Sequence, residues 1–495
     1  MSTSLWLQSA PAIPADPFEP DGAYEVVIAG AGLTGLTTAV MLARSGSRVC
    51  VLEARSVGAV TTGNTTGKVS LLQGTQLSQI QRFSSERVLA AYVDGNAAGQ
   101  GWLLDFLETR QVPYEVRDAY TYATTLDGLD RLDVELRAAR GAGLPVSEER
   151  VCELPFAVEG ALILRGQAQV HPMRVLAALA DELRRLGGRI VEGERVTAVS
   201  AGEPAAVTST SGRTTADAVI LATGTPILDR GLYFAKVEPH RSYVAAFRVP
   251  GALPQGMHLS AETPARSLRT ARDDEGELLL VGGNGHPVGR GGSTAARLAD
   301  LTSWAERTFP GAERTTWWAA QDYRSANRVP FVGWLPRGRG RIFLATGYDK
   351  WGMTNAVAAA LSLAADLTGA EPPEWTKTLH HRVTRPIDLA DGARANASVG
   401  VEAAKGWAAA ETAGAIGEVA PAEGTGMVGR RGVTPVAVST VDGSTCTLRA
   451  VCTHLGGIVR WNDAERSWDC PLHGSRFAPD GAVLEGPAVE PLGHA

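Results

Sequence analysis

Cysteine is scarce. The chain has five in 495 residues, too few for a disulfide scaffold. Long apolar runs are also missing, and none reaches the roughly 18 residues that suggest a membrane-spanning helix. There is no excess of positive charge either. Lys and Arg number 47 against 53 Asp and Glu, for a net charge of −6 and a pI near 5.9. Nucleic acid is therefore not expected as a partner, because a phosphate-binding face makes a domain basic. The opening stretch, MSTSLWLQSAPAIPADPFEP, has no basic start and no apolar core ahead of its acidic residues. Neither a secretory nor a twin-arginine signal is expected, and a cytoplasmic location is. What remains is 44% hydrophobic and 20% charged, the balance of a globular enzyme of about three folding units.

The first motif lies near the start. YEVVIAG reads as a strand, GAGLTG as a tight turn, LTTAVMLARSG as a helix and SRVCVLEAR as a second strand, with Cys50 an inert strand residue. Gly30, Gly32 and Gly35 have the spacing G-x-G-x-x-G, and Glu53 follows 18 residues after Gly35. Gly30 permits the turn, Gly32 lets backbone approach a pyrophosphate, and Gly35 lets helix and strand pack closely. The helix N-terminus at Leu33 and Thr34 offers free N–H groups to phosphate. A carboxylate at Glu53 suits ribose hydroxyls and would repel a 2′-phosphate. The same spacing at Gly424, Gly426 and Gly429 has neither the preceding strand nor the later acid, so it is set aside.

The remaining chain changes pattern several times. VHPMRVLAALADELRRLGG is an amphipathic helix with Pro172 in its first turn, and ADAVILATG is a buried strand. Residues 231–334 alternate in the manner of an antiparallel sheet. GRIFLATG and TNAVAAALSLAADLTG return to strand and helix. Residues 383–413, Ala/Gly-rich with weak periodicity, read as a linker that is partly helical and packed on the first domain, and short strands dominate from 414 onward. The rings of His380 and His381, adjacent in sequence, point apart and are not expected to share a metal.

Near the C-terminus, CTHLGG supplies Cys452 and His454, and CPLHGSRF supplies Cys470 and His473. The pattern is C-x-H, 15 residues, then C-x-x-H, with each arm on a glycine-rich loop. Two thiolates and two imidazoles suit zinc as well as an iron–sulfur cluster. Cys152 and Cys446 have no partner at a suggestive spacing.

These arms resemble the Rieske [2Fe-2S] family, in which each loop gives one Cys to one iron and one His to the other. EGPA (485–488) resembles the proline loop of that family. The resemblance makes Cys452, His454, Cys470 and His473 the cluster ligands. Gly457 and Leu472 stand where many relatives carry a second pair of cysteines, so no locking disulfide is implied. Phe477 replaces the tyrosine of high-potential members while Ser475 is kept. One fewer hydrogen bond to sulfur predicts a midpoint in the lower half of the range of about −150 to +300 mV.

The loop TTGNTTGK (61–68), ILATG (220–224) and ATGYDKWGMTNA (345–356) resemble FAD-binding elements of the D-amino-acid oxidase, glycine oxidase and sarcosine dehydrogenase family. The whole chain resembles a bacterial FAD-dependent oxidoreductase of this type with a C-terminal Rieske domain. The fold implied is an α/β, Rossmann-type FAD-binding domain with an inserted antiparallel-sheet substrate domain, followed by an all-β Rieske domain. The segments are an extended arm 1–22; FAD-binding parts 23–82, 155–230 and 335–382; substrate-domain parts 83–154 and 231–334; a linker 383–413; and a Rieske domain 414–495.

FAD, held non-covalently, would contact Gly30, Gly32, Leu33, Thr34, Gly35, Glu53, Ala54 and Arg55. It would also meet Thr61, Thr62, Gly63, Thr65 and Thr66 in the following loop, then Val196, Thr223, Gly224 and Gly347. Gly352, Met353 and Thr354 would bring a helix dipole to the flavin. Candidate substrate residues, by position, are Tyr243, Arg269, Gln321, Lys350 and Trp351, with Asp322 and Tyr323 beside them. Arg269 would clamp a carboxylate.

The activity implied is oxidation of a small amine or amino acid by hydride transfer to flavin. Electrons would then pass singly to the cluster and on to an unidentified acceptor. The alternative is a flavin/Rieske electron-transfer component supplying a partner oxygenase from NAD(P)H. That reading predicts a second, nicotinamide-binding Rossmann unit, and no convincing one is seen in the sequence.

Overall fold

The computed structural model describes residues 3–150, 153–380, 386–414, 416 and 420–495. Cys152, His381 and the boundary expected at 382–383 lie outside the described residues. Among the described residues no helix is long and apolar enough to cross a membrane.

The β-α-β unit forms where the sequence places it. Strands Ala23–Ala29 and Val49–Leu52 flank the helix Leu33–Arg44. Around them an eight-stranded sheet grows, six strands in the order Phe331–Trp334, Ile342–Thr346, Gly212–Leu221, Ala23–Ala29, Val49–Leu52, Arg189–Val191, with Ala205–Ser209 pairing Gly212–Leu221 and Val196–Ser200 pairing Ala205–Ser209. The inner pairs are parallel. Val27, Ile28, Val51, Val219 and Ile220 are fully buried, as strands covered on both faces require. Helices Leu33–Arg44, Pro172–Arg185 and Gly352–Thr368 contribute to the cluster on one face. His171 caps the second of these through its side chain, with Pro172 at the start.

The second sheet has nine strands, eight in the order Glu313–Ser325, Val237–Arg248, Gly276–Pro287, Arg266–Asp273, Met257–Ser260, Tyr114–Ala123, Gly160–Val170, Lys68–Val69, with Ser147–Glu149 pairing Gly160–Val170. It draws on more of the chain than expected. Gly160–Val170 falls in a segment assigned to the FAD-binding domain, yet it pairs with Tyr114–Ala123. Phe331–Trp334 makes the opposite exchange and joins the first sheet. Runs such as GALILRGQAQV carry a strand pattern but no signal for which sheet they join, since the partner is distant in sequence.

Two other segments are more structured than expected. The arm is not simply extended. Ser4 caps a short helix, Leu5–Gln8, whose Leu5 and Trp6 are buried. The Trp6 indole donates to Thr65 O at 2.6 Å, pinning the arm to the loop after the second strand. The linker is a helix, Pro386–Thr412, favoured by its alanines. It docks on both neighbours: Asn396 donates to Ala235 O, Arg290 to Ser398 Oγ, and Trp407 to Gly456 O.

The last unit is all β. A three-stranded antiparallel sheet (Thr425–Arg431, Thr434–Val441, Ser444–Arg449) accompanies four short strands between Arg460 and Glu485. Its core gathers Trp468, Phe477 and Leu448 with Cys452 and Cys470.

Candidate functional site

The glycine turn has the geometry of a phosphate cradle. Gly30 sits at φ +106°, and a Cβ there would come within 2.5 Å of Ala222 O. A Cβ on Gly35 would overlap the Gly30 carbonyl oxygen, so only glycine lets helix meet strand. Thr62 Oγ1 accepts from Leu33 N at 3.1 Å, capping the helix start from the following loop. Glu53 accepts from Ala31 N at 2.8 Å and Arg55 N at 2.9 Å, so it fixes the cradle as well as facing it. Burial raises the pKa of this carboxyl, against those two amide bonds.

These elements line one cavity of about 1960 Å³. Its wall includes Gly30, Gly32, Leu33, Thr34, Glu53, Ala54, Arg55, Thr61, Thr62, Thr65, Thr66, Val196, Thr223, Gly224, Gly347, Gly352 and Met353. A cradle that a Cβ would fill and a helix N-terminus at Gly352 fit a dinucleotide with a flavin. Gly35, Gly63 and Thr354 stand behind the wall. Thr354 donates to Asn96 within a buried polar knot with Gln73.

The substrate-side candidates divide. Lys350 and Trp351 line the cavity, as do Asp322 and Tyr323. Asp349 and Lys350 occupy the left-handed region in succession, at φ +46° and +72°, a strained turn held from two sides. Asp322 accepts from the Lys350 main chain, and Arg328 binds the Asp349 carboxylate at 3.0 Å. Burial lowers the Lys350 ammonium and pushes the Asp322 carboxyl up to about 7.

Two expectations, Arg269 and Gln321, are corrected, and Tyr243 keeps a place in the wall. Arg269 is on the right face but too deep. Its guanidinium donates to Thr270 O, Thr66 O and Val170 O and stacks over Trp6 at 5.2 Å, so it braces the flavin loop. Tyr243 has its ring in the apolar cluster beneath the helix Thr294–Thr308, stacked on His286 at 5.7 Å. It still lines the cavity, together with its neighbours Ser242 and Val244. Gln321 is turned from the cavity and donates to Gly474 O at 2.9 Å.

Lys68 was missed. It ends the quoted loop, lines the cavity, and donates to His258 O at 2.8 Å and Ser267 Oγ at 2.7 Å. Burial, with Arg269 nearby, lowers it to about 7. Its only sequence signal was a lysine inside an otherwise uncharged glycine/threonine loop.

The Cys–His loops come together at the far side of the strands Val237–Arg248 and Glu313–Ser325. Cys452 and Cys470 are buried and adjacent. The His454 and His473 rings meet edge to face at 5.3 Å, and the Nδ1 atom of each is buried without a partner. Among the described residues no three potential ligands converge on one point. Thiols paired with thiols and imidazoles with imidazoles suit two irons rather than one tetrahedral zinc. The Ser475 hydroxyl lies beside the Cys452 thiol, and Phe477 is fully buried. A Cβ on Gly457 would lie 2.6 Å from Leu472 Cγ, so the two positions implied for a second cysteine pair do pack together.

Residues at the junction of the FAD-binding and substrate-domain parts cover the imidazoles. Phe234 meets the His454 and His473 rings at 5.1 and 4.9 Å, and Asp229 Oδ1 lies 3.0 Å from His454 Nε2. A buried ionic knot fixes this interface. Arg241 binds Glu465 and Glu485, and Arg476 binds Asp469, Glu465 and Glu485. Burial alone would raise Glu465, but the two guanidiniums hold it down at about 2.

Comparison with known proteins agrees with this geometry. The FAD dependent oxidoreductase (DAO) family profile matches residues 25–366, and the Rieske [2Fe-2S] domain profile matches 413–494. The chain is 31% identical to the Rieske 2Fe-2S iron-sulfur protein YhfW of Bacillus subtilis (strain 168), over 99% of this chain and 96% of that protein. Glycine oxidase from Geobacillus kaustophilus shares the fold at a TM-score of 0.60 and 22% identity, covering 71% of this chain and 96% of its own. L-Proline dehydrogenase from P. horikoshii does so at 0.57 and 16%, covering 77% and 99%. The chain therefore belongs to the DAO family of FAD-dependent oxidoreductases and carries a C-terminal Rieske [2Fe-2S] domain.

Proposed function

We propose that this oxidoreductase removes a hydride from a small amine or amino-acid-like substrate and delivers the electrons singly to its own cluster and then to an external acceptor. FAD supplies a two-electron acceptor, and the 2Fe–2S centre a one-electron store. The chain does the rest. Gly30, Gly32 and the helix N-termini at Leu33 and Gly352 hold phosphate and flavin, and Glu53 takes the ribose. Lys350, Asp322 and Lys68 are the charged groups that orient a substrate or move its proton, with Asp322 and Lys68 both poised near neutrality. Cys452, Cys470 and the Nδ1 atoms of His454 and His473 hold the irons.

One observation carries this reading: the strand Glu313–Ser325 has the flavin cavity on one face and the cluster loops on the other. Asp322 lines the cavity, while Gln321, one residue earlier, touches Gly474. A carrier feeding a separate oxygenase would also pass electrons from flavin to cluster, but it would be loaded by a nicotinamide.

The experiment is an anaerobic screen of the holoprotein with amines, amino acids and NADH, read at the flavin band and by EPR. Bleaching by an amine or amino acid, followed by a reduced-cluster signal, is expected. Bleaching by NADH alone selects the carrier instead.

A further inference from the structure

We infer that Gln321 couples the flavin to the cluster, an assignment that rests on the electron flow proposed above. Its main-chain oxygen accepts from Thr61 Oγ1 at 2.8 Å, and Thr61 lines the cavity in the flavin loop. Its side-chain nitrogen donates to Gly474 O at 2.9 Å, on the peptide next to the ligand His473. One residue and two hydrogen bonds therefore join the cavity wall to Gly474, which is bonded to the cluster ligand His473. Tunnelling along covalent and hydrogen bonds is more efficient than across van der Waals gaps.

The surroundings fix that side chain. The Tyr323 hydroxyl donates to Gly486 O at 3.3 Å, so it accepts from Gln321 Nε2 at 3.0 Å. Gly474 O can only accept. Both partners need donors, so both amide hydrogens point toward them and the flipped amide is excluded. The cost is an Oε1 that is buried without a partner. Gly474 is at φ +80°, and a Cβ there would lie 2.5 Å from Pro239 Cβ and 3.0 Å from Gln321 Nε2. Only glycine lets the ligand loop come this close.

Two other contacts compete less well. Tyr323 also spans the layer, but it reaches Gly486, in the loop that follows the ligands. Phe234 touches both imidazoles but is not part of the cavity wall.

One electron crosses per event, oxidising reduced flavin and reducing the cluster. A one-electron acceptor outside the chain empties the cluster before the second electron crosses. The proton released from the flavin leaves through the cavity. Gln321 undergoes no chemistry, so it is a positioning residue and its signature is a rate at unchanged driving force.

The test uses anaerobic holoprotein in which a light pulse, with a deazaflavin as photoreductant, reduces the flavin. Flavin reoxidation is then followed as the cluster band bleaches, and the midpoint potentials of both centres are measured alongside. Gln321→Met, similar in length but without the amide, is expected to slow the concentration-independent phase at least tenfold. Both potentials and the cluster EPR line shape should stay unchanged. Thr61→Val breaks the other hydrogen bond, should slow the same phase, and decides the matter if Gln321→Met fails to fold. Rates within twofold of the parent at unchanged potentials would overturn the assignment. So would a slowing explained by shifted potentials, because the residue would then set driving force rather than coupling. Absence of the phase in the unaltered protein would refute the electron flow itself, whatever Gln321 does.

Discussion

The two cofactor seats are built from different materials. The flavin cradle is mostly backbone: glycines at Gly30, Gly32 and Gly35, helix N-termini, and a carboxylate, Glu53, that itself binds main-chain N–H groups. The cluster seat is four side chains on two loops, backed by a buried ionic knot. Backbone sites spread recognition over many weak contacts, so single changes degrade them. Side-chain ligation is all or none, because each metal–ligand bond is large and folding of the loops is coupled to it.

The sharpest break of that contrast is Cys470→Ser. The iron content and cluster absorption should be lost completely while flavin remains bound, as iron and flavin analysis of the purified protein would reveal. Gly35→Ala attacks the other seat. Its new methyl collides with the Gly30 carbonyl, an overpacking that costs about 1–3 kcal/mol or more. Flavin content should fall several-fold with iron retained. Equal loss of both cofactors in either variant would mean that the seats are not independent.

A smaller effect sharpens the contrast at the cluster. Asp229→Asn removes a negative charge next to His454 Nε2 and keeps a polar group there. The charge favours the oxidised, more positive cluster, so its loss should raise the midpoint. Asp229 is 61% exposed, which limits the interaction to about 1 kcal/mol or less, or roughly 40 mV for one electron. EPR-monitored titration would measure it, and a fall in potential would refute the sign.

The last test is at the cavity, and it reads a pH dependence. Burial raises the Asp322 carboxyl from 3.8 to about 7. Between these values the folded protein binds the proton that the unfolded chain releases, so this group's contribution is present below pH 3.8 and is lost as pH rises through 7. Asp322→Asn cannot ionise. Its Tm should gain on the parent between pH 5 and 8, and a gap that narrows over that interval would contradict the account.

Local signals were the readable ones. The glycine spacing, Glu53 and the Cys–His arms each lie within a few residues, so sequence carries them intact. Side-chain direction in the second sheet was less readable. Arg269 stands on the same face as Ser267, which lines the cavity, but one pleat repeat deeper; Gln321 points opposite to Asp322. Which residues of a strand face the ligand depends on pairing with distant strands, and a one-residue change of register reverses it. The arm's docking through Trp6 and the full length of the helix Pro386–Thr412 were hidden for a related reason. Both depend on tertiary contacts, and the helix has glycines that weaken its intrinsic pattern.

The central claim is that charge moves from flavin to cluster within one chain. The direct measurement is to mix the anaerobic holoprotein with a substrate that bleaches the flavin, freeze samples at intervals, and count reduced clusters by EPR at two protein concentrations. The account predicts a cluster signal that follows the loss of the flavin band at a rate independent of concentration. A cluster that stays oxidised after the flavin is fully reduced, or a rate that scales with protein concentration, would contradict it.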